Sequence, residues 1–218
     1  MQKKLLWCCL VLLGLTSVSW GQEEPRLEVT ITNLTRGQSF TPILVASHTS
    51  GVTLFTLGMP ASPELTMVAE EGNTAPLAAL LSTMPEVREV TTSAGLLGPG
   101  QSVTLTIARS SHISLASMLI PTNDGFFALN GVEAPRGNRT LVVYSPAYDA
   151  GTETNDELCA SIPGPFFTEC GGPGGGGAPT GGEEGYVHVH SGIHGIGSLN
   201  AAMRDWRNPV ARIVIRRL

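Results

Sequence analysis

The apolar residues of this chain come in short runs, many with a two-residue repeat, and each run is closed by turn-forming residues. Leu27, Val29 and Ile31 alternate with Glu28, Thr30 and Thr32, as in a strand with one face buried and one face wet. Val103, Leu105 and Ile107 alternate with Ser102, Thr104 and Thr106. Leu141 to Tyr144, Tyr186 to His190 and Ala211 to Ile215 read as further strands. Ile43 to Ala46, Ser114 to Ile120 and Phe126 to Leu129 are short apolar runs of buried strands, and Val52 to Leu57 reads as one more. Two segments, Pro63 to Glu71 and Pro76 to Ser82, open on proline and continue with helix formers, so they predict short helices in loops. Ser198 reads as the cap of another, with Leu199, Met203 and Trp206 on one face. There is no α/β alternation and no internal repeat. Roughly eight short strands with turns between them predict an all-β chain, an antiparallel β-sandwich.

The N-terminus reads as an export signal. Lys3 and Lys4 form a positive region, Leu5 to Leu15 an apolar run, and Ser17 to Gly21 a small-residue exit, the layout of a cleaved secretory signal over residues 1–21. The run falls short of the ~20 apolar residues that span a bilayer. The expected mature chain, residues 22–218, has no transmembrane segment and is extracellular or periplasmic. Its cysteines are Cys159 and Cys170, which in an oxidising compartment most simply pair with each other. Their spacing is too long for a C-x-x-C redox or metal motif. The glycine-rich stretch that follows, residues 171–182, reads as a flexible insertion.

Charge narrows the function. The chain has 13 Lys+Arg against 18 Asp+Glu. Both lysines lie in the signal, which leaves 11 − 18 = −7 after cleavage. So acidic a chain lacks the clustered positive charge that nucleic acid requires. Arg204, Arg207, Arg212, Arg216 and Arg217 make the C-terminal end basic, which reads as a solvated, aggregation-resistant edge or as an attraction to an anionic surface. Asn33-Leu34-Thr35 and Asn138-Arg139-Thr140 match the glycosylation pattern. There is no G-x-S-x-G, H-E-x-x-H or P-loop pattern, and the leading reading has no catalysis in it.

Two loops gather the scarce aspartates. Pro121-Thr122-Asn123-Asp124-Gly125 follows one apolar strand, and Tyr148-Asp149-Ala150-Gly151-Thr152-Glu153 follows another. If those strands run in the same direction, both loops open on one edge of the sheet, and Gly151 permits a bend that turns Asp149 and Glu153 inward. Hard oxygen ligands from two loops suit calcium, which takes six to eight oxygens. Asn123 and Asp156 are possible additional or outer-shell members. The plainer reading is that Asp and Asn in turns bond their own backbone.

Four segments carry a family resemblance: Thr32-Asn33 with Pro42, the run Ser117 to Asp124, the run Asp149 to Glu153, and the ending Val210 to Ile215. Together they resemble the spondin N-terminal domain family, in a single-domain, secreted form of the bacterial type. The resemblance implies a β-sandwich similar to calcium-dependent membrane-binding modules. It also implies a calcium ion on Asp124, Asp149 and Glu153, and a role in adhesion. The chain departs from the animal pattern at Gly125 and Tyr148, where tryptophans are usual, and at Glu153, where an aspartate is usual.

Histidine supplies a second constellation. His188, His190 and His194 fall within nine residues. In a strand, His188 and His190 share a face, and Gly192 lets the chain return His194 toward them. Imidazoles suit zinc or copper. The leading expectation is a secreted calcium-binding module for an extracellular protein, glycan or surface. The alternative is an exported copper or zinc protein built on the three histidines, with an enzyme, redox-active or hydrolytic, as one form of it. Histidines on an outer strand face, or bonded to backbone, remain the structural alternative.

Overall fold

A computed structural model describes residues 24–178 and 180–218. The expected signal, residues 1–21, lies outside the described residues. The elements are β1 (Arg26–Asn33), β2 (Ser39–Phe40), β3 (Leu44–His48), α1 (Pro63–Glu71), α2 (Ala75–Ser82), β4 (Val87–Thr92) and β5 (Ser102–Ala108). They continue with β6 (His112–Ile120), β7 (Gly125–Glu133), β8 (Leu141–Ser145), β9 (Ala147–Asp149), β10 (Phe166–Phe167) and β11 (Gly172–Pro173). The last are β12 (His188–Val189), α3 (Ala201–Arg204) and β13 (Ala211–Arg217). One sheet has the order β5-β1-β13-β8, and a larger one β12-β9-β7-β6-β3-β4 with β2 also on β6. All strand pairs are antiparallel, as expected of a sandwich.

The burial patterns explain the two kinds of apolar run. β1 alternates between half-buried and buried positions, because one face of its sheet is wet. β6 is buried at every position after its first, because the larger sheet is covered on both faces. Between the sheets lie Leu27, Val29, Ile31, Ile113, Leu115, Phe127, Ile213 and Ile215. On the opposite face of the larger sheet, Leu44, Ala46, Ala116 and Phe126 pack with Leu65, Val68, Leu77 and Leu81 of α1 and α2. The chain therefore has three layers, and the helices are one of them. Adjacent residues on β7 serve different cores, as the strand period of two dictates. Phe127 packs on Phe40 with ring centroids 4.2 Å apart and planes tilted by 36°, and Phe126 meets Phe55 edge-on at 5.4 Å.

Several expectations need correction. Val52 to Leu57 forms no strand. Asn130 holds it as a loop, accepting from the Leu54 amide at 2.7 Å and donating to the Phe55 carbonyl at 2.7 Å. β4 is an additional strand at the sheet edge, whose polar, half-buried sequence has no apolar face to betray it. The third helix is capped by Asn200, not Ser198, while Met203 is exposed and Trp206 is buried beyond the helix. Asn33 is fully buried and its amide donates to the carbonyls of Gln38 and Leu97, so it is a turn anchor; Asn138 is exposed. The C-terminal arginines are largely paired: Arg204 with Glu169, Arg207 with Asp205 and Arg216 with Glu28.

The Cys159–Cys170 disulfide is formed. The glycine tract beside it makes close backbone contacts. A Cβ on Gly174 would lie 1.9 Å from the Ile162 carbonyl oxygen, and one on Gly175 1.8 Å from that of Ala160. Glycine is thus required there by contact as well as by chain freedom. Reduction of the disulfide is expected to cost about 3 kcal/mol, the loop-closure value for so short a loop. Urea unfolding with and without reductant measures it.

His48 is buried between the sheet strands. Its Nδ1–H donates to the Thr49 carbonyl at 2.7 Å, and its Nε2 pairs with the Ser114 hydroxyl at 2.8 Å. Burial depresses its pKa below the ordinary 6.5, against the Thr49 hydrogen bond. In a folded state that resists protonation, the unfolded chain binds more protons. The contribution of His48 to stability is therefore full above pH 6.5 and lost as pH falls through its folded pKa. An NMR titration of the ring should give a midpoint below 6.5.

Candidate functional site

The site forms at one end of the larger sheet. β6 and β9 both pair antiparallel to β7, so they run in the same direction and their ends share an edge. The strand that delivers the second loop is β9, whereas Leu141 to Tyr144 belongs to β8 in the other sheet. The chain changes sheets at Ser145 and Pro146, where the Ser145 hydroxyl donates to the Ala128 carbonyl at 2.9 Å. Three residues then line up across the sheet: Gly125 pairs with Asp149, and Asp149 with His188.

Asp124 closes the two loops on each other. Its Oδ2 accepts from the Thr152 amide at 2.7 Å and from the Glu153 amide at 3.1 Å. Its Oδ1 is buried with no hydrogen-bond partner among the described residues, and the same is true of Glu153 Oε2. The other Glu153 oxygen accepts from Ala178 at 3.1 Å. Asp149 Oδ1 accepts from Gly151 at 2.8 Å and Oδ2 from Asn155 at 2.8 Å. Burial, with Asp149 nearby, raises the Asp124 carboxyl to about 7. Burial, with Glu70 and Asp124 nearby, raises Glu153 to about 7. Asp149 is raised as well, again chiefly by burial. Carboxyls that resist ionisation in this way are a feature of functional sites.

Asn123 and Asp156 are engaged elsewhere. The Asn123 amide donates to Asp156 Oδ1 at 3.0 Å, and its carbonyl accepts from the Glu157 amide at 3.2 Å. Asp156 also accepts from the Ser161 hydroxyl at 2.6 Å. The pair braces the loops. Glu157, which extends the acidic stretch in the sequence and is expected from it at the rim of the site, does likewise: its buried carboxylate accepts from Gly195 at 2.7 Å and Ile196 at 3.0 Å.

The histidines separate. His194 is exposed, and its ring meets the Ser191 hydroxyl at 3.1 Å. His190 is buried, and its Nδ1 accepts from the Gly192 amide at 3.0 Å. Burial pushes its pKa down to about 4. It packs against Trp206 at 5.0 Å. A Cβ on Gly125 would lie 3.0 Å from the His190 ring, so His190 fills the space that a side chain at 125 would need. His188 instead faces carboxylates: Nε2 lies 3.5 Å from Asp149 Oδ1 and 3.7 Å from Glu184 Oε2. Burial opposes a charge on His188, but the Val189 carbonyl, Asp149 and Glu184 outweigh it and raise its pKa. Among the described residues, Asp149, Glu184 and His188 are the three whose ligand atoms lie within 4.8 Å of one another. Glu184 was not foreseen. Its place four residues before His188 was the available signal, hidden because Glu184 lies just beyond the glycine-rich stretch, between Glu183 and Gly185.

Gly151 joins these parts. Its φ of +67° is left-handed, and a Cβ would lie 2.3 Å from the Tyr186 carbonyl oxygen. Its own carbonyl accepts from Gly185 at 2.8 Å, which brings Glu184 up to Asp149. Gly151→Ala should destabilise the protein by roughly 1–3 kcal/mol, the usual cost of a strained backbone position. A lower urea midpoint is the readout.

Comparison with known proteins agrees with this architecture. A search of curated proteins finds no match. Residues 30–156, more than half of the chain, match the Spondin_N family model. The matched span contains both acidic loops. It stops before the disulfide, His188, His190, His194 and β13, although β13 pairs with β1 along its whole length. Among the described residues no helix is long and apolar enough to cross a membrane. The chain belongs to the spondin N-terminal domain family, a binding-type module of extracellular proteins.

Proposed function

We propose that this chain is a secreted calcium-binding module that attaches to an extracellular protein, glycan or surface and performs no catalysis. The observation that carries the reading is the pair of buried, unpartnered carboxylate oxygens, Asp124 Oδ1 and Glu153 Oε2, on loops that close on each other. A buried anionic oxygen without a partner is costly. A hard divalent cation removes that cost, and calcium tolerates the irregular geometry of two loops and of a glutamate arm. Asp149 lies beside Asp124 and completes the acidic set. Backbone carbonyls and water supply the remaining ligands. Exposed apolar side chains flank the site: Leu57, Met59, Tyr186 and Val189. The loop of Leu57 and Met59 is hydrogen-bonded to Val187, next to His188, so a partner can be gripped beside the ion.

Binding that occurs only in the folded state stabilises it by mass action. Millimolar calcium should raise the melting temperature, and chelator should reverse the rise. Asp124→Asn and Glu153→Gln should each reduce it. Extracellular modules commonly bind calcium at roughly 10⁻⁴–10⁻³ M, so the titration extends to several millimolar. A melting curve indifferent to calcium and chelator would refute the reading.

A further inference from the structure

We infer that His188, Asp149 and Glu184 form a second metal site, which takes a zinc-class divalent transition ion. The argument begins with the His188 tautomer. Its Nδ1–H donates to the Val189 carbonyl at 3.1 Å, which leaves the lone pair on Nε2. That atom is buried, lacks a hydrogen-bond partner among the described residues, and faces Asp149 Oδ1 at 3.5 Å and Glu184 Oε2 at 3.7 Å. A lone pair opposed to two carboxylate oxygens is repulsive unless a metal ion lies among the three or a proton is taken up on Nε2, and above the pH at which the ring holds that proton the metal is the remaining answer. The orientation, with one ring nitrogen tied to a carbonyl and the other free, is that of a metal-bound histidine. Bonds of 2.0–2.1 Å in a tetrahedron set ligand atoms about 3.4 Å apart, close to the spacing found.

A second observation comes from the other side of Asp149. His190 is 5% exposed, and its Nε2 has no hydrogen-bond partner among the described residues. It is aimed at Asp149 Oδ2, 3.9 Å away. Because Nδ1 accepts from Gly192, the proton lies on Nε2. His190 is therefore no ligand. It is a positioning residue that sets a buried N–H 3.9 Å from Oδ2 of Asp149, while Oδ1 is the oxygen nearer His188. One nitrogen and two oxygens suit zinc and leave a fourth position open to water or to a side chain of a partner. The set differs from the three-histidine expectation: Asp149 and Glu184 enter, while His190 and His194 fall outside the ligands. The inference does not rest on the calcium reading; Asp149 is the residue common to both sites.

The test uses the purified, chelator-stripped protein with zinc alone as the probe, in buffer holding saturating calcium. Calorimetry should show one zinc per chain. Cobalt(II) in its place should give visible bands of a four-coordinate nitrogen and oxygen site. His188→Ala and Glu184→Gln each should weaken zinc at least tenfold and abolish the bands. Both side chains are partly exposed, so these variants should fold, as circular dichroism checks. His194→Ala should leave zinc binding unchanged. Asp124→Asn should retain zinc while showing a reduced calcium-dependent rise in melting temperature, which separates failure of one reading from failure of the other. Absence of stoichiometric zinc in the folded wild type, or equal zinc affinity in the His188 and Glu184 variants, overturns the site and leaves His188 as the cationic member of an ion pair.

Discussion

Burial of both faces of the larger sheet is the constraint on which the other features depend. β6 is buried from Ile113 onward, and β7 places Phe127 in the inter-sheet core and Phe126 under the helices. Each fully buried phenylalanine contributes about 1.5–3 kcal/mol relative to exposure. A one-residue slip of β7 would exchange the two faces, so two cores together fix its register. That register decides the site, because Gly125 must stand opposite Asp149, and Asp149 opposite His188.

Alternation then explains why the carboxylates are buried. Ala147 points into the inter-sheet core, and Asp149, two residues on, points the same way at its rim. An aspartate in that position loses water whether or not it has a partner. The protein answers with backbone and side-chain donors for Asp149, and with the Thr152 and Glu153 amides for one oxygen of Asp124. The oxygens left over, and the His188 Nε2 that faces Asp149 and Glu184, are the groups on which the proposed cation sites rest. The disulfide, the glycine contacts and the Glu157 carboxylate hold the neighbouring loops in place without facing that space themselves.

Much of this was legible before any coordinates. The strands of the smaller sheet announced themselves because one wet face enforces alternation, as in β1 and β5. α1 and α2 were legible from proline at their starts, and α1 also has the Ser62 cap. Asp124 and Asp149 stood out because aspartate is rare in the chain. Other elements left no trace. β4 is a half-buried edge without an apolar face, β9 is three residues long, and Val52 to Leu57 looks like a strand but is held as a loop by Asn130.

The sequence by itself determined the class of fold, the disulfide and the two acidic loops, because each rests on local rules: a period of two, a lone pair of cysteines, and turns rich in Asp and Gly. Only the tertiary structure decided which groups meet. Glu184 reaches Asp149 because Gly151 allows backbone to approach backbone across 34 positions of chain. His188 and His190, two apart and alike in sequence, part because one ring donates to a carbonyl and the other accepts from an amide. Spacing cannot specify a tautomer or a long-range contact. Those depend on which backbone groups the folded chain leaves within reach.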